Sequence, residues 1–569
     1  MSKYSIPARP FLFLLAIFLF LCLPIASTQS TAQTAYAPQP STPAGNYRIA
    51  GIVVSKTDGH SLARVRITLR DAKAPQKFES LITAEDGKFE FTGVPAGKYD
   101  LHGAKRGFIS ASYDQHEQFS TAIVTGAGLE TESLVLRLAP TAIISGKILD
   151  EAGDPVRHAT VTLYRDDHSS GVDQITQFRG AQTDDQGAFE MASLLPGTYF
   201  LSANAKPWYA THPMSEHYNL GTEQAPTQNL DRLGLDRSLD VAYPVTYYPD
   251  VTDADSATPI PIRGGDRLQV EIHLNPVPAL RLLFRVPNRD KHIFVFPQLE
   301  QPAFDGSTFI QNDGTRPVSP GLVEITGVPA GHYNIRLNGP GMAAIQMNGV
   351  DLNKDGDEID TSTGEALSTV KVSVQANGET ALPPRLFVGL RSAHRSMVGG
   401  QQVNDKGEAE FQQVPAGRYE PLLFGSSRPY SVLHISAEGA EVTGHTITVT
   451  PGSSPSVSLT VVGGSLSVEG TAKHGDKPFA GAMVVLVPKN PENNRDLFRR
   501  DQSDLDGTFS LGNVVPGSYT VLAIENGWDL DWSQPAVIAA YLKHGRPIQI
   551  GNPPGRPTNL SEAVEVQSK

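Results

Sequence analysis

The groups able to do chemistry in this chain are its fifteen histidines, its sixty carboxylates and three tryptophans. A hydrolytic zinc centre needs a His-x-x-Glu pair or a His-Glu-x-x-His helix, which puts two ligands or a ligand and a base on one face, plus a distant third ligand. No histidine begins either pattern, and His116-Glu117 fails at the fifth position. A Gly-x-Ser-x-Gly elbow and a P-loop are missing as well. The only cysteine, Cys22, lies in an apolar leader, so the mature chain holds no thiol nucleophile, disulfide or zinc–thiolate site. No enzyme activity and no cofactor are expected.

The stretch DLNKDGDEID, residues 351–360, spaces Asp351, Asn353, Asp355 and Asp357 around Gly356 as a calcium loop spaces its oxygens. Ile359 falls one position late for such a loop, and Ser362 stands where a bidentate glutamate would close it. A solvated Asp-Gly hairpin is the expectation, with no metal. Aromatic rings remain, because exposed rings offer flat faces to ligands such as sugars. Trp208-Tyr209 opens an irregular insertion, 205–265, that also holds His212, His217, Tyr218 and Tyr247-Tyr248. Trp528 and Trp532 lie in ENGWDLDWSQPAV near the end of the chain. Loops on a rigid scaffold are where binding surfaces concentrate, so Trp208, Tyr247, Tyr248, Trp528 and Trp532 are the candidate binding residues. The competing expectation is that these rings cap sandwich ends as small cores.

What would position such rings is a repeat. GVPAGKY at 93–99 returns as SLLPGTY (193–199), GVPAGHY (327–333), QVPAGRY (413–419) and NVVPGSY (513–519). Twelve residues before the tyrosines Tyr99, Tyr199, Tyr333, Tyr419 and Tyr519 stand Gly87, Gly187, Gly321, Gly407 and Gly507. Two before them stand Gly97, Gly197, Gly331, Gly417 and Gly517. The first glycine follows runs such as Glu85-Asp86 and should take the positive φ of a tight hairpin. An alternating strand comes next, with Phe89 and Phe91, or Phe189 and Met191, on one face. A Pro-Gly turn follows, whose glycine is expected to take the conformation other residues avoid, and the tyrosine starts the next strand. The copies are 86–134 residues apart, which is domain-sized and too long for a solenoid unit. Each copy is thus the centre of a small β-sandwich.

Copies one, two and five share more upstream: Gly51 with Ala63, Val65 and Ile67; Gly146 with Ala159, Val161 and Leu163; Gly470 with Ala482, Val484 and Leu486. The full pattern resembles the carboxypeptidase regulatory-like domain. That resemblance implies a transthyretin/prealbumin-like, seven-stranded sandwich, grouped with carbohydrate-binding-like folds, and it is nearly silent on activity because the module accompanies very different proteins. Copies three and four match only its second half. Residues 245–274 resemble a companion segment of multi-domain exported proteins of acidobacterial type.

The leader has Lys3 and Arg9, the apolar run Phe11–Ile25 and then small residues. A run of about 15 is short of the roughly 20 that span a bilayer, so 1–32 reads as a signal peptide and 33–45 as a linker. No later stretch is apolar enough to cross a membrane, and a secreted, periplasmic or cell-envelope location follows. With 47 basic against 60 acidic residues, dispersed, the net charge is −13, which disfavours nucleic acid and anionic lipid as partners. The 39 % hydrophobic content supplies cores without disulfides, and 52 glycines with 43 prolines point to turns.

The fold expected is all-β, a tandem array of sandwiches at 46–139, 140–276 (with the 205–265 insertion), 277–366, 367–462 and 463–569. Short junctions predict a semi-rigid string. The function expected is an exported, non-catalytic binding or scaffold protein at the cell envelope, taking carbohydrate or envelope proteins as partners. The alternative is an accessory component of an envelope uptake or polymer-degradation complex, acting through protein–protein contacts.

Overall fold

In the first sandwich, Tyr47–Ser55 pairs antiparallel with Lys88–Val94 and parallel with Leu134–Leu138, forming a three-stranded sheet. The facing sheet runs Phe78–Ile82, Arg66–Asp71, Gly97–Ala104, with Ala111–Ser112 and Ile123–Thr125 both on the last strand. Strict alternation turns Ile49, Val53, Phe89, Phe91 and Leu136 toward Ile67, Leu69, Leu101 and Ile123, which close one dry core. The structure, a computed structural model, describes residues 45–126, 128–212, 236–286, 295–310, 314–319, 321–339, 344–377, 382–392, 397–425, 430–463, 466–551 and 557–569. The expected signal peptide, most of the linker, His217 and Tyr218 lie outside them.

The same wiring recurs four times. Ala142–Leu149 pairs with Ala188–Leu194 and Arg267–His273, and Leu280–Arg285 with Leu322–Val328 and Asp357–Asp360. Ser368–Ala376 pairs with Glu408–Val414 and Ser456–Gly463, and Leu466–His474 with Thr508–Val514 and Thr558–Asn559. In each case the first partner is antiparallel and the second parallel. The molecule is all-β, with several tandem sandwiches and, among the described residues, one α-helix, Pro535–Leu542. Copies three and four keep the wiring although their upstream sequence has drifted, because each retains an apolar core, that of copy three continuous with Tyr164, Val245 and Tyr247 of copy two.

The repeated phrase builds one device five times. Tyr47 pairs with Val94 but Ile49 with Phe91, so the strand before the phrase carries one extra residue, a β-bulge. The identical slip occurs in the other four copies. In the bulge one residue is left-handed: Gly93 (φ 68°), Ser193 (59°), Gly327 (76°), Gln413 (59°) and Asn513 (55°). The tyrosine hydroxyl then donates to the carbonyl four residues earlier, at 3.1 Å to Pro95, 2.8 Å to Leu195, 2.7 Å to Pro329, 2.8 Å to Pro415 and 2.8 Å to Val515. Burial pushes the hydroxyls of all five tyrosines above their ordinary pKa, that of Tyr519 to about 12.

Two expectations from sequence are settled here. The first glycine does take positive φ in every copy, from 68° at Gly187 to 82° at Gly407. The second does not supply a forbidden turn conformation at Gly97, Gly331 or Gly517; it leaves room for the tyrosine ring, which would stand 3.2–3.5 Å from an added Cβ. The strained position lies four residues earlier, in the bulge.

The acidic stretch at 351–360 is a turn but not the hairpin expected: Ile345–Leu352 pairs with Gly331–Asn338 in one sheet and Asp357–Asp360 pairs parallel with Leu280–Arg285 in the other, so the Asp-Gly turn carries the chain between the sheets. Its carboxylates turn to separate partners: Asp351 Oδ1 is 2.8 Å from His332 Nδ1, and Asp355 Oδ1 accepts from the Arg281 backbone N–H at 3.0 Å. Among the described residues, no helix is long and apolar enough to cross a membrane.

Candidate functional site

Gly45–Lys569 pack as one unit, in which the last sandwich folds back onto earlier ones. This corrects the string expected from the short junctions. Arg500 Nη2 meets Glu117 Oε2 of the first sandwich at 2.6 Å and the Ser169 carbonyl of the second at 3.0 Å. Its guanidinium lies 4.2 Å from the Trp532 ring centre. The Arg500 side chain is only 3 % exposed, so losing Glu117, itself 25 % exposed, would leave the guanidinium charge unpaired in a dry place. Nearby, His116 stacks on Trp528 with centroids 4.8 Å apart, while its Nδ1 lies 3.1 Å from Gln502 Oε1. Lys98 Nζ reaches Asp504 Oδ2 at 2.6 Å, and the Ala122 N–H donates to Asp504 Oδ1.

A second junction joins sandwiches four and five. Arg391 holds Glu420 in a charge-assisted pair, and burial raises the Glu420 carboxyl. Burial also pushes Asp496 up to about 6 and depresses His445, whose Nδ1 is 3.8 Å from Asp496 Oδ2. A cavity of about 410 Å³ sits here, with walls that include Gln174, Arg418, Asn493 and Arg495.

The candidate aromatic residues do not form one site. Tyr247 is 0 % exposed; its ring packs with Tyr164 and Phe304 where sandwiches two and three share a core. Tyr248 is half-buried against the core of sandwich two. Trp532 is buried under Arg500, and Trp528 is half-buried on His116. As open stacking platforms Tyr247 and Trp532 are therefore corrected to interdomain core, since large rings stabilise most when both faces are covered. Trp208 alone stands out, 86 % exposed, edge-on to Tyr209. Tyr209 and Tyr243 both donate to Glu151, which anchors the described start of the insertion.

The open surface lies elsewhere, on the three-stranded sheet of sandwich two and the four-stranded sheet of sandwich four. In sandwich two a groove of about 690 Å³ is lined by Ser145, Lys147, Asp184, Glu190, Gln269 and Glu271. In sandwich four a groove of about 660 Å³ occupies the equivalent place, lined by Lys371, Ser373, Asn404, Glu408, Glu410 and Ser456. The cross-strand rows correspond: Glu190–Ser145–Gln269 in one, Glu410–Lys371–Ser456 in the other. These outward side chains are donors and acceptors on fixed strands, suited to hydrogen-bonding a polyhydroxylated or peptide chain. Sequence reasoning missed them because they are simply the polar half of an alternating strand. Glu117, Arg500 and Gln502 were missed because no local signal pairs residues nearly 400 positions apart.

Residues 143–228 match the family model of the carboxypeptidase regulatory-like domain, as the resemblance implied. Residues 45–121 match that of the second β-sandwich domain of BOS complex subunit NOMO1-like proteins. No curated protein is significantly similar to the chain. Among solved structures, the Bacillus anthracis TIE protein is 10 % identical, with 92 % of this chain and 74 % of that one covered and a TM-score of 0.16. GBS52, the minor pilin of Streptococcus agalactiae, is 16 % identical over 43 % of this chain and 100 % of its own, with a TM-score of 0.21. BcpA, the major pilin subunit of Bacillus cereus, is 8 % identical over 73 % and 98 %, with a TM-score of 0.14. At such scores the likeness carries no statement about how this chain works.

Proposed function

We propose that the chain is an exported, non-catalytic scaffold that binds carbohydrate at the cell envelope through the paired grooves of sandwiches two and four. The observation that supports this reading is their equivalence: two sheets present matching rows of polar side chains, held in one unit by the last sandwich. Two weak sites in fixed relation bind a long polymer more tightly than either alone. The matched families are structural modules, in keeping with a role in binding rather than turnover. Export rests on the leader at 1–32.

The mature protein is expected to bind polysaccharide on a glycan array. Lys147→Ala with Glu190→Ala should weaken that binding severalfold while leaving the circular dichroism spectrum intact, and no peptide, ester or glycoside should be hydrolysed. Unchanged binding in that variant would sink the groove, and turnover would sink the scaffold.

A second reading, an accessory component working through protein contacts, is favoured by the outer strand Phe78–Ile82. It is an edge strand with Phe78 65 % and Ile82 60 % exposed, of the kind that accepts an added strand. Loss of envelope-protein partners on Phe78→Ser, with glycan binding retained, would select it.

A further inference from the structure

Three side chains meet where sandwich five reaches sandwich two: His168 and Asp173 from the loop after Thr160–Asp167, and Asp531 from the segment before the helix. One donor atom from each lies within 4.8 Å of the others. His168 Nδ1 is hydrogen-bonded to Asp173 Oδ1. That bond fixes the ring and directs Nε2 at Asp531 Oδ1, 3.3 Å away. His168 Nε2 and this Oδ1 are both cut off from solvent and are not hydrogen-bonded to each other. The Leu530 backbone also hydrogen-bonds the ring.

A neutral imidazole with its proton on Nδ1 would present a lone pair from Nε2 to a carboxylate lone pair. Two acceptors facing one another repel, and a cation between them, whether a proton or a metal ion, relieves that repulsion. The separation is informative. Zinc held tetrahedrally by a histidine nitrogen and a carboxylate oxygen sets those two atoms about 3.3–3.5 Å apart. A carboxylate on the far nitrogen is the arrangement that orients a metal-binding histidine.

We propose that His168 Nε2 and Asp531 Oδ1 bind a divalent transition-metal ion, zinc foremost, with Asp173 as the positioning residue, so that the ion ties sandwich two to sandwich five. Nitrogen and carboxylate ligands without thiolate suit zinc, nickel or manganese rather than calcium. The other charged groups close by are Asp166 and Asp167 on the same stretch, Asp529, which pairs with Lys569, and Arg500, which reaches the Ser169 carbonyl and the Trp532 ring. With two protein ligands, the ion would keep water in its shell.

The test is calorimetric titration of the untagged full chain with zinc chloride alone near neutral pH. One equivalent should bind and raise the melting temperature. His168→Gln and Asp531→Asn should each weaken binding at least about tenfold, and Asp173→Asn by a similar factor, as loss of an orienting carboxylate does. Asp529→Asn should bind like wild type. If His168→Gln folds poorly, Asp531→Asn, which removes no buried ring, decides the matter. Absence of saturable zinc binding, or binding unchanged in both ligand variants, overturns the proposal. So does a His168 ring that titrates by nuclear magnetic resonance but shows no zinc-induced shift, for then the bridging cation is a proton.

Discussion

Gly93 and Gly97 stand four residues apart in one phrase, yet the structure gives them unlike roles. Gly93 has φ 68° in the bulge, where a β-branched side chain is strained, whereas Gly97 only leaves room under Tyr99. Gly93→Val is therefore expected to destabilise the first sandwich by about 1–3 kcal/mol. Gly97→Ala, with 3.5 Å to the ring, should cost less than about 1 kcal/mol. Hydrogen exchange across 45–139 in denaturant checks the order, and a larger loss for Gly97→Ala would mean the bulge is misread. From the sequence the two glycines look alike, since both sit at turn signals. What separates them is the register slip and the tyrosine hydroxyl bond, neither of which is a local property.

At the scale of elements, the alternation of Phe89 and Phe91, or of Val370, Val372 and Val374, made the strands and the inward faces readable. The fixed offsets of the repeat made the common wiring readable too. The fates of Tyr247 and Trp532 were not, because a ring in a loop looks the same whether a ligand or another sandwich covers it. Nor were the buried charges where sandwiches four and five meet, since His445 belongs to one sandwich and Asp496 to the next. Those charges have a pH signature. Asp496 has its folded pKa raised to about 6, above an unfolded carboxylate's. Between those values the folded state binds more protons, so this group's contribution to stability falls as pH rises through about 4 to 6. Glu420 acts in the same direction, while His445, depressed by burial, acts oppositely near neutrality. Asp496→Asn should thus raise the melting temperature relative to wild type more at about pH 7 than at about pH 4.5. A difference independent of pH, or larger in acid, would show that the neighbouring cations Arg499 and Arg391, which pull the Asp496 carboxyl down, outweigh the burial.

For the whole molecule the deciding contact is Arg500. Arg500→Ala leaves Glu117 without its partner and uncovers the Trp532 ring, at an expected cost of about 2–4 kcal/mol to the docking of sandwich five. Small-angle scattering should show a longer particle, and proteolysis should cut between sandwiches four and five. A particle unchanged in dimension would mean that the other contacts suffice. The same pairing sets an order of events during synthesis. Glu117 leaves the ribosome 383 residues before Arg500 does, so every earlier sandwich has time to fold while its partner surface is still unmade. Until then Asp114, His116, Glu117 and Thr121 face solvent as an uncovered docking patch. A nascent or truncated chain lacking sandwich five should carry that patch permanently, which makes the half-made protein, rather than the finished one, the form most prone to capture by chaperones or by another copy's last sandwich.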